Sequence, residues 1–79
     1  MFLMKTLIES IVKPLVDHPD NVSVSSEESD EKVMYTLRVH GEDMGKVIGK
    51  QGRVAKAIRS VVYAAGSGQQ KRVFLEISD

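Results

Sequence analysis

Apolar and polar positions follow two rhythms along this chain, and the rhythm changes at glycines and prolines. From Phe2 to Val16 the apolar residues Leu3, Leu7, Ile8, Ile11, Val12, Leu15 and Val16 recur at helical spacing, with Thr6, Glu9, Ser10 and Lys13 on the other side. That spacing predicts an amphipathic helix over 2–16. Pro14 has no amide to give the carbonyl of Ser10, so the last turn should loosen or kink. Asp17-His18-Pro19-Asp20-Asn21 then supplies turn residues.

The rhythm next shortens to two. Val22 and Val24 alternate with Ser23 and Ser25, a short and weakly specified strand. Ser26-Glu27-Glu28-Ser29-Asp30-Glu31 is expected to be an acidic, mobile loop. Val33, Tyr35, Leu37 and Val39 alternate with Met34, Thr36, Arg38 and His40, a half-buried strand. Gly41-Glu42-Asp43 is a turn, and Asp43 is an expected N-cap for a short helix over 44–48. A second helix is predicted from Arg53 to Ala65. Val54, Ile58, Val61, Val62 and Ala65 form its apolar stripe, widened by Ala57 and Ala64, with Arg53, Lys56, Arg59 and Ser60 opposite. Gly66-Ser67-Gly68-Gln69-Gln70 should stop it. Val73, Leu75 and Ile77 alternate with Phe74, Glu76 and Ser78 as a last strand.

The predicted order is α-β-β-α-α-β. A strand, helical crossover and strand require a parallel pair with a right-handed connection. The first hairpin adds an antiparallel strand on the other side. The expected fold is an α+β domain, a three-stranded mixed sheet with helices packed on one face.

Seventy-nine residues make one small domain, 1–79. A core of this size supplies a net stability of only about 3–5 kcal/mol. The chain has no cysteine, which excludes disulfides and thiolate metal sites. No apolar run approaches the roughly 20 residues of a membrane span. No signal peptide is read at the amino terminus, and either Met1 or Met4 could be the start. A cytoplasmic location is the expectation.

The net charge is zero, but it is segregated. Residues 1–43 carry four basic residues against nine acids, a net of −5, whereas residues 44–75 carry seven basic residues and no acid. The basic block is centred on Val47-Ile48-Gly49-Lys50-Gln51-Gly52-Arg53. Glycines three apart allow positive φ and close approach of a ligand to the backbone. A helix that starts at Gly52 would aim its unpaired amides and positive dipole end at the same place. Lys50 adds a full charge. The anion expected there is a nucleic-acid phosphate.

Other phosphate motifs do not fit. Gly45-Lys46-Val47-Ile48-Gly49-Lys50 is one residue short of the nucleoside-triphosphate loop and lacks its following Ser or Thr. Val47 stands where the dinucleotide fingerprint needs glycine. No nucleophile, base and orienting acid can be assembled, so no enzymatic activity and no cofactor are expected. His18 and His40 lack the sequence spacing of metal ligands, and no metal site is expected. Tyr63 and Phe74 are expected to pack rather than stack on bases. Only four aromatics are present, which disfavours a base-stacking platform.

The loop Gly49-Lys50-Gln51-Gly52, with Val47-Ile48 before it and a helix after it, resembles the GxxG loop of KH domains. The helix-first order looks like the type II arrangement. Val12-Lys13-Pro14-Leu15, His18-Pro19-Asp20 and the run from Asp43 to Arg53 are similar in particular to the small bacterial single-KH RNA-binding family called KhpA. The likeness covers essentially the whole chain. It implies binding of single-stranded RNA, self-association as a homodimer, and a heterodimer with a second KH-domain protein, KhpB. It further implies a role as an RNA chaperone or post-transcriptional regulator with effects on cell shape and cell-wall homeostasis.

On the KH reading, about four nucleotides lie along the loop. Ile48 supplies apolar floor, together with Val47 and Val54. Amides of Gly49, Lys50, Gln51 and Gly52 hold phosphate oxygens, and Arg53 and Lys56 extend the basic track. Phosphate contacts set affinity and register, not sequence. In the type II arrangement the acidic loop between the first two strands would flank this groove, so binding by one copy is expected to be weak. Ala57, Val61 and Ala64 are either core or a patch for a partner helix. The alternative function is a dimerisation adaptor with little RNA binding of its own.

Overall fold

The structure of the chain, a computed structural model, describes residues 4–66 and 71–79. Its principal elements are α1 (Met4–Val12), β1 (Ser23–Glu28), β2 (Lys32–Arg38), α2 (Met44–Ile48), α3 (Arg53–Ala65) and β3 (Arg72–Ser78), with short 3-10 turns between them. The sheet order is β1-β2-β3, antiparallel between β1 and β2 and parallel between β2 and β3. This is the mixed sheet that the strand-crossover-strand pattern requires.

The inward rows of the sheet carry Val33, Leu37 and Val39 of β2 and its extension, and Leu75 of β3, all buried. Ile8 and Val12 of α1, Val47 of α2, and Ile58 and Val62 of α3 close over them with essentially no exposed surface. Each such aliphatic side chain contributes about 1.5–3 kcal/mol through burial. On the other face Met34, opposite Phe74 in the register, stays only half-buried. Helices therefore cover one face of the sheet.

Several elements depart from the sequence expectation. α1 ends at Val12, and Lys13–Leu15 continues as a 3-10 turn with Pro14 inside it. The proline ring forbids the α-type bond, and the chain takes the tighter turn instead. Leu15 leaves the stripe and is exposed, while Met4 joins Ile8 and Val12 in the core. Phe2 and Leu3 lie outside the described residues, as does the expected helix stop after Gly66.

β1 runs on through Glu28, so the first half of the acidic stretch is strand. Its register places Glu27 opposite Met34 and Glu28 opposite Val33. Only residues 29–31 turn. The Ser29 amide donates to the Lys32 carbonyl at 2.8 Å. Hairpin pairing overrides the poor strand propensity of glutamate here.

A candidate nucleic-acid interface

α2 and α3 meet at the glycine loop, whose shape follows from three residues with positive φ. Gly49 (φ 75°), Gln51 (φ 58°) and Gly52 (φ 74°) reverse the chain between the two helices. At Gly49 glycine is required twice. Besides its φ, a Cβ there would lie 2.4 Å from Cγ2 of Val54 and 2.9 Å from the Val54 amide nitrogen. At Gly52 a Cβ would point into open space, so only the φ calls for glycine. Gln51 holds a left-handed conformation without that freedom, at a cost of order 1 kcal/mol.

The loop uses part of its own hydrogen-bonding capacity. The Gly49 amide donates to the Gly45 carbonyl at 2.9 Å, the Gly52 amide to Gly49 at 3.2 Å, and the Arg53 amide to Lys50. The expectation that all four loop amides face a phosphate is therefore corrected. Gly49 and Gly52 shape the loop, and an anion would have to meet the amides of Lys50 and Gln51.

The side chains divide sharply. Lys50, Arg53 and Lys56 are exposed, and among the described residues no carboxylate lies within ion-pair distance of them. Of the other basic residues of the block, Arg72 is exposed at the far end of the sheet beside the acidic turn, and the remaining three are engaged. Lys46 pairs with Asp17, and Lys71 lies 3.5 Å from Glu28. Arg59 Nε donates to the Leu75 carbonyl at 3.4 Å. Ile48 is exposed at the loop and can meet a base. Val47 is fully buried and belongs to the core, not to the floor; Val54 is half-buried.

The acidic turn does not flank this loop. Gly66, at the end of α3, lies against Val73, whereas Arg59, nearer its start, reaches Leu75. α3 thus runs antiparallel to β3. The acidic turn is tied to the start of β3 through the Arg72 amide, which donates to the Glu31 carbonyl at 3.0 Å. A helix of 13 residues separates the two ends of the sheet, about 20 Å at 1.5 Å per residue. Parallel pairing of β2 with β3 decides this, and the charge count alone could not.

Behind the loop, α2 is anchored by a residue whose role the sequence misassigns. Asp43 does not cap α2 with its side chain. It is buried, and its carboxylate accepts from the amides of Asp17 at 3.1 Å and His18 at 2.9 Å. Burial pushes its pKa up, but those two amides, with the positive charge of His18 and Lys46 nearby, bring it below its ordinary value. Lys46 is shifted up, chiefly by its hydrogen bond to Asp17. Only the folded chain brings residues 17–18 against 43, so no local pattern could have shown this.

The expected patch on α3 is outside the core. Val61 is 44% exposed, and Ala57 and Ala64 are exposed on the same side of the helix. Buried Ala55, with Ile58 and Val62, is the inward stripe. Tyr63, expected to pack, is 42% exposed. Phe74 is half-buried.

A helix-first α+β domain with a GxxG loop between two helices of its crossover defines a KH-type module. The sequence model described as "KhpA/KhpB, KH domain" matches residues 5–77. The chain belongs to this KhpA/KhpB KH-domain family. It is 61% identical over 74 residues to an RNA-binding protein KhpA of Listeria monocytogenes, covering 94% of this chain and 97% of the relative. It is 59% identical to the protein of that name from Halalkalibacterium halodurans, covering 96% and 100% of the two chains. For that of Bacillus subtilis the figures are 57%, 96% and 94%.

Proposed function

We propose that this chain binds single-stranded RNA along the Gly49–Gly52 loop. The observation that carries the reading is the run of unpaired, exposed cations, Lys50, Arg53 and Lys56, on a loop whose backbone is bent open by Gly49 and Gly52. Relatives named RNA-binding proteins, at 57–61% identity, support it. Phosphates meet the amides of Lys50 and Gln51 and then the side chains of Arg53 and Lys56. Ile48 offers apolar contact to a base. Shape and charge set this binding, and it discriminates weakly between sequences.

In this reading the protein is an RNA chaperone or post-transcriptional regulator in the cytoplasm, without enzymatic activity of its own. It acts as a homodimer or with a second KH-domain protein of the KhpB kind, and it influences cell shape and cell-wall homeostasis. The exposed Ala57, Val61 and Ala64 side of α3 is the surface for that association.

A second reading, a dimerisation adaptor whose partner holds the RNA, is favoured by the same exposed patch. The two are separated by Lys50→Asp combined with Gln51→Asp, assayed by fluorescence anisotropy on a labelled single-stranded RNA and by thermal melting. Lost binding with an unchanged melt supports the loop as the RNA site. Unchanged binding overturns it.

A further inference from the structure

The fold brings His18 against a histidine and a glutamate, His40 and Glu42, more than twenty residues further along the chain. His18, in the turn after α1, and His40, just past β2, stack ring on ring with centroids 4.1 Å apart and planes inclined by 23°. Oε1 of Glu42 lies 3.8 Å from Nε2 of His18 and 3.8 Å from Nδ1 of His40. One donor atom from each of the three residues lies within 4.8 Å of the others.

We propose that His18, His40 and Glu42 form a binding site for a divalent transition-metal ion, with Zn2+ as the representative. Two imidazole nitrogens and one carboxylate oxygen make a donor set that zinc accepts, with solvent in the fourth position. A tetrahedral ion with bonds near 2.1 Å needs its ligand atoms roughly 3.4 Å apart. To bind it, the two rings turn out of their stack so that both lone pairs point at one ion and the donors close from within 4.8 Å, and the side chains are exposed enough to do so.

Two features prepare the site. The Glu42 amide donates to Nδ1 of His40 at 3.1 Å. That nitrogen is therefore bare in the neutral ring, with the ring proton on Nε2, and its lone pair faces the Glu42 side. A metal would take this lone pair and release an exposed amide to water. The second feature is Asp43. Its buried carboxylate holds the His18 amide and lies next in sequence to Glu42. The segments that carry the ligands are thus tied together before any ion arrives, and the entropy of assembling them is already spent.

The site is separate from the RNA loop. It lies at the start of α2, whereas the glycine loop lies at its end. The acidic turn of β1 and β2 is the competing location for a cation, but it offers only carboxylates and carbonyls, which suit harder ions.

The test is calorimetric titration of ZnCl2 into the full chain after treatment with a chelator, with amide spectra recorded alongside. One Zn2+ per chain is expected, with shifts confined to residues 17–19 and 40–43. Glu42→Gln should weaken binding by at least about tenfold, and His18→Gln with His40→Gln should abolish it. Glu42 is largely exposed, so its variant keeps the fold, and thermal melting checks this for all three changes. No saturable binding, unchanged affinity in Glu42→Gln, or shifts centred on residues 28–32 would each overturn the proposal.

Discussion

The carboxylate of Asp43 holds the backbone amide of His18 at 2.9 Å, across 25 residues of chain. The bond joins the turn that follows α1 to the start of α2, and so fixes the base of the glycine loop. A carboxylate is well suited to it, because it accepts two amides at once and donates nothing. Asp43→Ala should strand both amides and lower the melting temperature by roughly 10 °C in a domain of this size. Asp43→Asn should fall between, since its NH2 group must oppose one donor.

The same bond predicts an acid limit. The folded pKa of Asp43 is lowered, so its contribution is present above the unfolded carboxylate value and lost as pH falls through the folded one. Melts of the native chain and Asp43→Asn should differ most near neutrality and converge as pH falls from about 4 downward. A gap that persists in strong acid would assign the effect to packing rather than charge.

Gly49 and Gly52 share a sign of φ but not an environment, and urea titration should separate them. Gly52→Ala carries only the backbone cost of about 1 kcal/mol. Gly49→Ala adds the collision with Val54 and should cost about 3 kcal/mol. Val54→Ala in the Gly49→Ala background should recover part of that loss, because it removes the Cγ2 that a Cβ would strike.

Arg53 and Lys56 test how far the proposed RNA track extends along α3. Each phosphate contact to a single strand contributes about 0.7 to the slope of log affinity against log salt. Arg53→Gln and Lys56→Gln should each flatten that slope by about this amount and weaken all sequences alike. Arg59→Gln should leave the slope unchanged, because Arg59 is committed to the Leu75 carbonyl.

Val61→Asp addresses the proposed association as a dimer. Val61 is 44% exposed, so the change should leave the melt of a single copy near its native value while size-exclusion light scattering shifts from dimer to monomer. A dimer that survives moves the interface off this face of α3.

The sequence by itself determined the element order, the mixed sheet and the glycine loop, because periodicity, glycine spacing and crossover handedness are local or nearly local constraints. The segregated charge likewise marked the loop, although it counted cations without showing which were committed. Pro14 signalled that the last turn of α1 could not stay α-helical, and the chain resolves it as an exposed 3-10 turn over Lys13–Leu15.

Only the tertiary structure decided which apolar residues face inward on α3. Val61 and Val62 are equivalent in hydropathy, and the sheet buries one and leaves the other out. Only it turned Asp43 from an N-cap into a buried clamp and brought His18 to His40. The parallel pairing of β2 with β3 likewise carried the acidic turn away from Gly49. These contacts join positions far apart in the chain, and their energies depend on distances that no sequence pattern encodes.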